Sequence, residues 1–185
     1  ASDVATAVFD AADAVMLSAE TAAGSYPVEA VTLMNKIIME TESHDLYRRY
    51  LDAARLEPEH TPESAITASA RVTAETLPDA AAIVSYTISG ATAGRVSRER
   101  PYIPVMCMTP SESVARKMSL FWGVESVVCE PQDLLVDVAA KAAQYCRDLL
   151  DAKVGEKVII TAGLPFNVTG NTNLLHIFTI AGRAD

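Results

Sequence analysis

From Thr61 onward, short apolar runs of strand length alternate with longer runs of helical periodicity, and this alternation limits the fold more than any other feature of the chain. The strand-like runs are residues 81–85, 104–108, 126–129 and 157–161, with a last, weakly alternating one at residues 174–180. Between the first four lie helix-length segments. Thr61-Pro62 opens one as N-cap and first helical residue, and Pro78 stops it. Another carries Gly94, Arg95, Val96 and Arg98 and ends before Pro101. Thr109-Pro110-Ser111-Glu112 reads as a capping box with Thr109 as the cap, opening a helix that runs to Phe121. Pro131 starts a longer helix with Leu135, Val138, Ala142 and Tyr145 on one side. Apolar strands separated by helices make a parallel, doubly wound α/β sheet covered on both faces. The last two strands are joined by residues 163–173, a Gly-, Pro-, Asn- and Thr-rich loop with no room for a helix. The fifth strand is therefore expected to be antiparallel.

The first third of the chain is different. Residues 2–9 read as a short helix and residues 13–17 (Asp-Ala-Val-Met-Leu) as a buried strand that ends in Ser18-Ala19-Glu20-Thr21. Gly24 and Pro27 lead into a long helix with Val28, Val31, Met34 and Ile38 on one stripe, widened by Leu33 and Ile37. The polar stretch from His44 to Arg55 continues as helix or frays, and residues 56–60 read as a linker. One strand makes no sheet, because its backbone groups need partners. Polar residues at a strand's carboxyl end are where an α/β barrel keeps its chemistry, and a full barrel takes about 250 residues. Residues 1–57 are thus expected to be the last βα unit of an incomplete barrel, and residues 58–185 a separate α/β domain. Without its neighbours the strand at 13–17 is expected to be mobile, misplaced or paired with another chain.

Charge and composition narrow the functions. The 185 residues carry a formal net charge of −9, which argues against nucleic acid and against anionic membrane surfaces as partners. Any anion must then be held by local donors. Half the residues are hydrophobic and 21% are charged, the balance of a globular chain. The three cysteines, Cys107, Cys129 and Cys146, are widely spaced and form no CxxC pair, so they read as buried thiols of a reducing cytoplasm. No apolar run approaches the roughly 18 residues of a membrane span.

The strongest candidate site is Tyr86-Thr87-Ile88-Ser89-Gly90-Ala91-Thr92, where a strand feeds a helix through hydroxyls and a glycine. Free amides and the helix dipole then face one point, a ready anion site. The plainer alternative is a simple strand-to-helix turn capped by Ser89. This turn and the 163–173 loop both lie at carboxyl ends of strands, where ligands of such sheets collect, and are candidates for one pocket. Ser18 and Glu20 read either as a partial active site or as a polar strand end. His44, His60 and His176 are scattered, Trp122 reads as a core or hinge anchor, and Arg95, Arg98 and Arg100 read as a solvated helix end or as a contribution to a subunit contact or to anion attraction.

Several of these segments resemble pyruvate kinase. Asp13-Ala-Val-Met-Leu-Ser-Ala-Glu-Thr21 with Gly24-Ser-Tyr-Pro-Val-Glu-Ala-Val31 is similar to that family's eighth barrel strand and following helix, with Ala19 where the family usually has glycine. Ile160-Thr-Ala-Gly163 with Thr169-Gly-Asn-Thr-Asn-Leu174 is similar to its last hairpin loop. Thr87-Ile-Ser-Gly-Ala-Thr92 and Arg98-Glu-Arg-Pro101 occupy its activator-loop position, and Trp122-Gly-Val124 also fits. The resemblance implies phosphoryl transfer from phosphoenolpyruvate to ADP, with Mg2+ and usually K+, in a complete enzyme that assembles as a homo-tetramer partly through this domain. The lysine, metal carboxylates, cation site and lid domain of the family lie on segments outside these 185 residues. Ser18 and Glu20 are then the rim of an incomplete catalytic site, and the chain alone is expected to be inactive, with no metal of its own. Thr87, Ser89, Gly90 and Thr92, with Gly170 nearby, become the phosphate site of an allosteric effector. Ile88 and Ala91 stand where other members carry basic or polar residues, and Lys141 and Arg147 form no tryptophan–arginine pair, so a monophosphate effector, or loss of regulation, is favoured over a bisphosphate. A stand-alone phosphometabolite sensor and a pure interaction domain are the alternatives.

Overall fold

The structure, a computed structural model, describes residues 1–55 and 57–182. The chain divides into two units, Ala1–Leu56 and Glu57–Asp185.

The first unit is helical. Helix α1 (Ser2–Phe9), the single turn α2 (Ala19–Ala22), α3 (Pro27–Ser43) and α4 (Asp45–Ala53) follow in order. Pro27 stands at the start of α3, where its missing N–H leaves no bond unmade. His44 ends α3 and caps α4, its Nδ1 accepting the amide of Leu46 at 3.2 Å. The small core is Val8, Tyr47 and Leu51 with Phe9 and Ile38 against them. The Phe9 ring stands edge-on to Tyr47 and Tyr50, both at 5.9 Å.

Two expectations for this unit change. Residues 13–17 form no strand, and Met16 is 85% exposed. Among the described residues no ladder partner is present for them, and a strand is defined by its partner, not by its own sequence. The other concerns the apolar stripe of α3, which is half-buried at Met34, Ile37 and Ile38 but exposed at its start, Val28 being 72% exposed. Periodicity marked the stripe correctly but does not say what lies on it.

The second unit is the expected sheet. Helix α5 (Pro62–Thr76) is capped by Thr61, whose hydroxyl accepts the Ser64 amide at 3.2 Å. It leads to β1 (Ala80–Tyr86), α6 (Ala91–Arg98), β2 (Val105–Thr109), α7 (Glu112–Met118), β3 (Val124–Val128), α8 (Leu135–Leu150), β4 (Lys157–Ala162) and β5 (Leu174–Thr179). The strand order is β3-β2-β1-β4-β5, parallel throughout except for β5, which runs antiparallel to β4. The five residues of β2 are all buried, as a central parallel strand covered on both faces requires.

The two faces are covered unequally. Ala70 and Ala74 of α5 and Val96 of α6 pack on Ile83, Val105 and Ile159. Ala93 of α6 and Met118 of α7 pack beside them on Cys107. On the other face α8 supplies Val138, Ala139, Ala142, Ala143 and Cys146 to Val84, Met106, Val158 and Ile160, with Ala152 and Phe166 beside them. All three cysteines are buried thiols.

The third strand is shifted from the 126–129 of the sequence reading to Val124–Val128, and three helix boundaries differ as well. Ser111, not Thr109, caps α7: its Oγ accepts the Val114 amide at 3.4 Å, while Thr109 Oγ1 accepts from Ser111 one step earlier at 3.3 Å. Helix α7 ends at Met118 instead of Phe121. Helix α8 starts at Leu135 instead of Pro131, because Gln132 is held in the preceding segment by hydrogen bonds of its own.

Candidate functional site: a cleft at the switch point of the sheet

Strands β1 and β4 are neighbours, yet the connections leaving their carboxyl ends diverge. That after β1 leads to α6 on one face, and that after β4 leads to the edge strand β5. Such a divergence opens a crevice beyond the strand ends. A cleft lies there, lined by residues 86–89, 91, 92 and 95 on one side and by residues 163 and 167–172 on the other. It encloses about 390 Å³, including the solvent at its mouth.

The 87–92 turn is built by its own hydroxyls. Thr87 Oγ1 accepts the Gly90 amide at 3.1 Å, and Ser89 Oγ accepts the Ala91 amide at 3.4 Å. Gly90 is the N-cap of α6 at φ +83°, in the left-handed region. A Cβ there would also meet Met118 Sδ at 2.6 Å. Gly90 therefore holds the turn rather than lining the cleft. The amides of Thr92 and Ala93 belong to the first turn of α6, where no intrahelical acceptor exists.

The facing loop is held as firmly. Asn173 makes a two-way bond with Leu164, its Oδ1 accepting at 2.8 Å and its Nδ2 donating at 2.9 Å. A side chain at Gly163 would bring its Cβ to 2.1 Å from the Asn171 carbonyl oxygen, so only glycine allows this close approach. Turn and loop meet where Thr92 Oγ1 and Thr172 Oγ1 share a buried hydrogen bond of 2.7 Å. At the far wall Tyr86 Oη accepts the Gln132 amide at 2.8 Å and donates to Asn167 Oδ1 at 3.1 Å. Burial pushes the Tyr86 phenol above its ordinary value, against the opposing effect of the Gln132 amide, so it stays a protonated donor.

The turn residues Thr87, Ser89 and Thr92 thus come together with Gly170 across one cleft. Arg95, grouped by the sequence reading with Arg98 and Arg100, stands apart from them in lining this cleft. Among the described residues lining the cleft it alone carries a charge. It lies four residues beyond Ala91 and so on the same helical face, a signal legible from the 3.6-residue period. Tyr86 lies in the candidate turn and Asn167 and Thr172 in the candidate loop, but their pairings, which span about 80 residues of chain, were not legible.

Ser18 and Glu20 belong to the first unit. Both are exposed, and Glu20 Oε2 accepts the Ser18 amide at 3.1 Å. The carboxylate thus closes its own turn at the start of α2. Among the described residues no three His, Cys, Asp or Glu side chains gather as metal ligands. Among the described residues no helix is long and apolar enough to cross a membrane.

Comparison with known proteins agrees with this architecture. Residues 64–178 match the family model of the pyruvate kinase alpha/beta domain, and residues 1–31 match that of the pyruvate kinase barrel domain. The chain is 44% identical over 181 residues to a pyruvate kinase of Agrobacterium vitis, covering 98% of this chain and 37% of that protein. It is 45% identical over 184 residues to a pyruvate kinase of Geobacillus stearothermophilus, covering 98% of this chain and 31% of that one. A crystal structure of Cryptosporidium parvum pyruvate kinase superposes with a TM-score of 0.78 at 30% identity, over 97% of this chain and 35% of the other. The chain spans about a third of the length of the relatives it matches. The sheet order, the loops at its switch point and the family match over most of the sequence lead to one assignment: the chain belongs to the pyruvate kinase family, matching its alpha/beta domain and part of its barrel domain.

Proposed function

We propose that this chain serves a pyruvate kinase, which transfers a phosphoryl group from phosphoenolpyruvate to ADP, as the part that binds a phosphorylated effector and contributes to a homo-tetramer. In this reading residues 1–57 belong to the catalytic barrel and residues 58–185 form the allosteric and subunit-contact domain. The observation that carries the regulatory role is the cleft at the switch point, where the first turn of α6, the Ser89 hydroxyl and Arg95, the one cation of the described lining, face the 167–172 wall. A helix N-terminus and one guanidinium suit one phosphate. Asn and Thr side chains on the opposite wall suit the hydroxyls of a sugar. A second phosphate would want a second cation, which the described lining lacks. Titration calorimetry with ribose 5-phosphate, AMP and fructose 1,6-bisphosphate tests this. A monophosphate is expected to bind more tightly, and clear preference for the bisphosphate overturns the assignment.

Catalysis by the 185 residues alone is not expected. Phosphoryl transfer needs several charges fixed around metal and phosphate. Ser18 and Glu20 are the family-motif residues at hand, and Glu20 is engaged with the Ser18 amide. A coupled assay for ATP formation from phosphoenolpyruvate and ADP should stay at background for this chain. Turnover near that of a full-length relative refutes the proposal.

A further inference from the structure

We propose that Tyr86 and Asn167 form a latch that makes the outer wall of the cleft and the segment ahead of α8 move as one body, so that a ligand in the cleft is sensed at the start of α8. The sensing half rests on the reading of the cleft as a ligand site; the latch itself rests on geometry alone. Tyr86 is the fixed point. It ends β1, is in register with Met108 of β2 and Ala162 of β4, and is only 3% exposed.

Its phenol joins two segments that no strand ladder joins. The oxygen accepts the backbone amide of Gln132 at 2.8 Å and donates to Asn167 Oδ1 at 3.1 Å. Asn167 closes the ring from the other side. Its Nδ2 donates to the Gln132 carbonyl at 3.2 Å and to Asp133 Oδ1 at 2.8 Å. Asn167 sits at φ +60°, a conformation that Asn tolerates better than most residues. Phe166 stands edge-on to the Tyr86 ring at 5.6 Å. Every polar group of the phenol and of the Asn167 side chain is thus used in holding the two segments together.

Each segment is stiff enough to transmit a displacement. On the α8 side, Gln132 Nε2 donates to the carbonyls of Glu130 and Pro131 at 2.6 and 2.9 Å, which ties residues 130–132 into one turn. The Leu134 carbonyl then accepts the first amides of α8, from Asp137 and Val138. On the cleft side, Asn167 leads directly into the 168–172 wall. A ligand that draws this wall inward must break the latch or pull residues 132 and 133 with it. Helix α8 packs Val138, Ala139, Ala142, Ala143 and Cys146 on this face, so a shift at its N-terminus reaches the core it shares with β1, β2 and β4. That gives coupling a physical carrier: two segments with one set of shared hydrogen bonds.

The test is hydrogen–deuterium exchange by mass spectrometry on the full chain, comparing the parent protein with Tyr86→Phe, Asn167→Ala and the double variant. Phenylalanine keeps the ring against Phe166 and removes only the hydroxyl. Without ligand, each single variant should speed exchange at least about fivefold in both the 130–135 and the 164–170 segments, since Tyr86→Phe removes two hydrogen bonds and Asn167→Ala three. The double variant should exceed the larger single effect very little. A response confined to one segment, or fully additive effects, overturns the latch. Slow exchange retained in β1 and β4 serves as the folding control. If Tyr86→Phe fails it, Asn167→Ala, on an exposed loop, decides the question.

Ribose 5-phosphate is then added. In the parent it should slow exchange in both segments, and in Tyr86→Phe only at 164–170. Protection confined to 164–170 in the parent overturns the sensing. No protection anywhere in the parent sinks the ligand reading and the sensing with it, while the ligand-free comparison still decides the latch.

Discussion

Thr92 Oγ1 and Thr172 Oγ1 lie 2.7 Å apart, both buried, and this one bond joins the first turn of α6 to the end of the β4–β5 loop. Neither hydroxyl reaches water easily, so each depends on the other. Removing one leaves its partner's polar group buried, which costs about 1–3 kcal/mol, whereas replacing both by groups of the same shape is close to neutral. Thr92→Val and Thr172→Val should each lower the melting temperature, and the double variant should lose clearly less than the sum. Thermal unfolding followed by circular dichroism reads this directly. Additive losses would mean that the two hydroxyls act separately.

Gly163 is the second structural condition of the cleft. Alanine there would place its Cβ 2.1 Å from a backbone oxygen, which has no flexible end to swing aside. The loop must shift as a whole, and the Asn173–Leu164 clasp behind it must break or follow. Gly163→Ala is expected to destabilise the second unit by roughly 1–3 kcal/mol, as an overpacked site does. Monophosphate binding should also be lost at temperatures where the protein remains folded. A variant with unchanged midpoint in urea and unchanged calorimetric affinity would contradict this account.

How far the sequence alone reaches can be judged from individual residues. The five strands and the antiparallel last one were legible because apolar runs of strand length alternate with helices, and a short loop permits no parallel return. The meeting of the 87–92 turn with the 163–173 loop followed from both lying at carboxyl ends of strands. Residues 13–17 looked equally strand-like, but pairing depends on neighbours and local pattern carries no information on them. At 109–112 two hydroxyls offered a cap, and spacing alone could not choose Ser111 over Thr109. Tyr86 and Asn167 are polar groups separated by 81 positions, and only the folded sheet brings them together. Arg95 was within reach: one further turn along the helix from Ala91 would have put it on the cleft face.

Arg95 leads to a third prediction. It is the one charged side chain among the described residues of the cleft lining, whereas Arg98 of the same helix is exposed and is not part of that lining. A charge-assisted bond to phosphate is stronger than a neutral one. Arg95→Gln should therefore weaken ribose 5-phosphate binding about tenfold, or about 1.4 kcal/mol. The dependence of affinity on salt should also become shallower, because the screened charge is gone. Arg98→Gln should change neither. Equal effects of the two substitutions in calorimetric titrations at two salt concentrations would remove Arg95 from the site.

The buried thiols give a last prediction, with a sign that can be worked out. Burial pushes Cys107 and Cys146 up to about 12, the first against the opposing effect of the Ser126 hydroxyl and the second against the charge of Arg147. In the unfolded chain a thiol titrates near 8.5–9. Below that value both states hold the proton and these groups make stability no steeper in pH. Between about 9 and 12 the unfolded chain releases protons that the folded chain retains, so the unfolded state gains and stability falls as pH rises. The urea midpoint of the parent should therefore drop more between pH 8.5 and 10.5 than that of Cys146→Ala, in which one such group is missing. At pH 8 the three thiols should react with a disulfide reagent only as fast as the second unit opens, and at full speed in denaturant. Rapid labelling of the native protein, or parallel pH profiles for parent and variant, would show that these sulfurs are not shielded by the sheet and by α8.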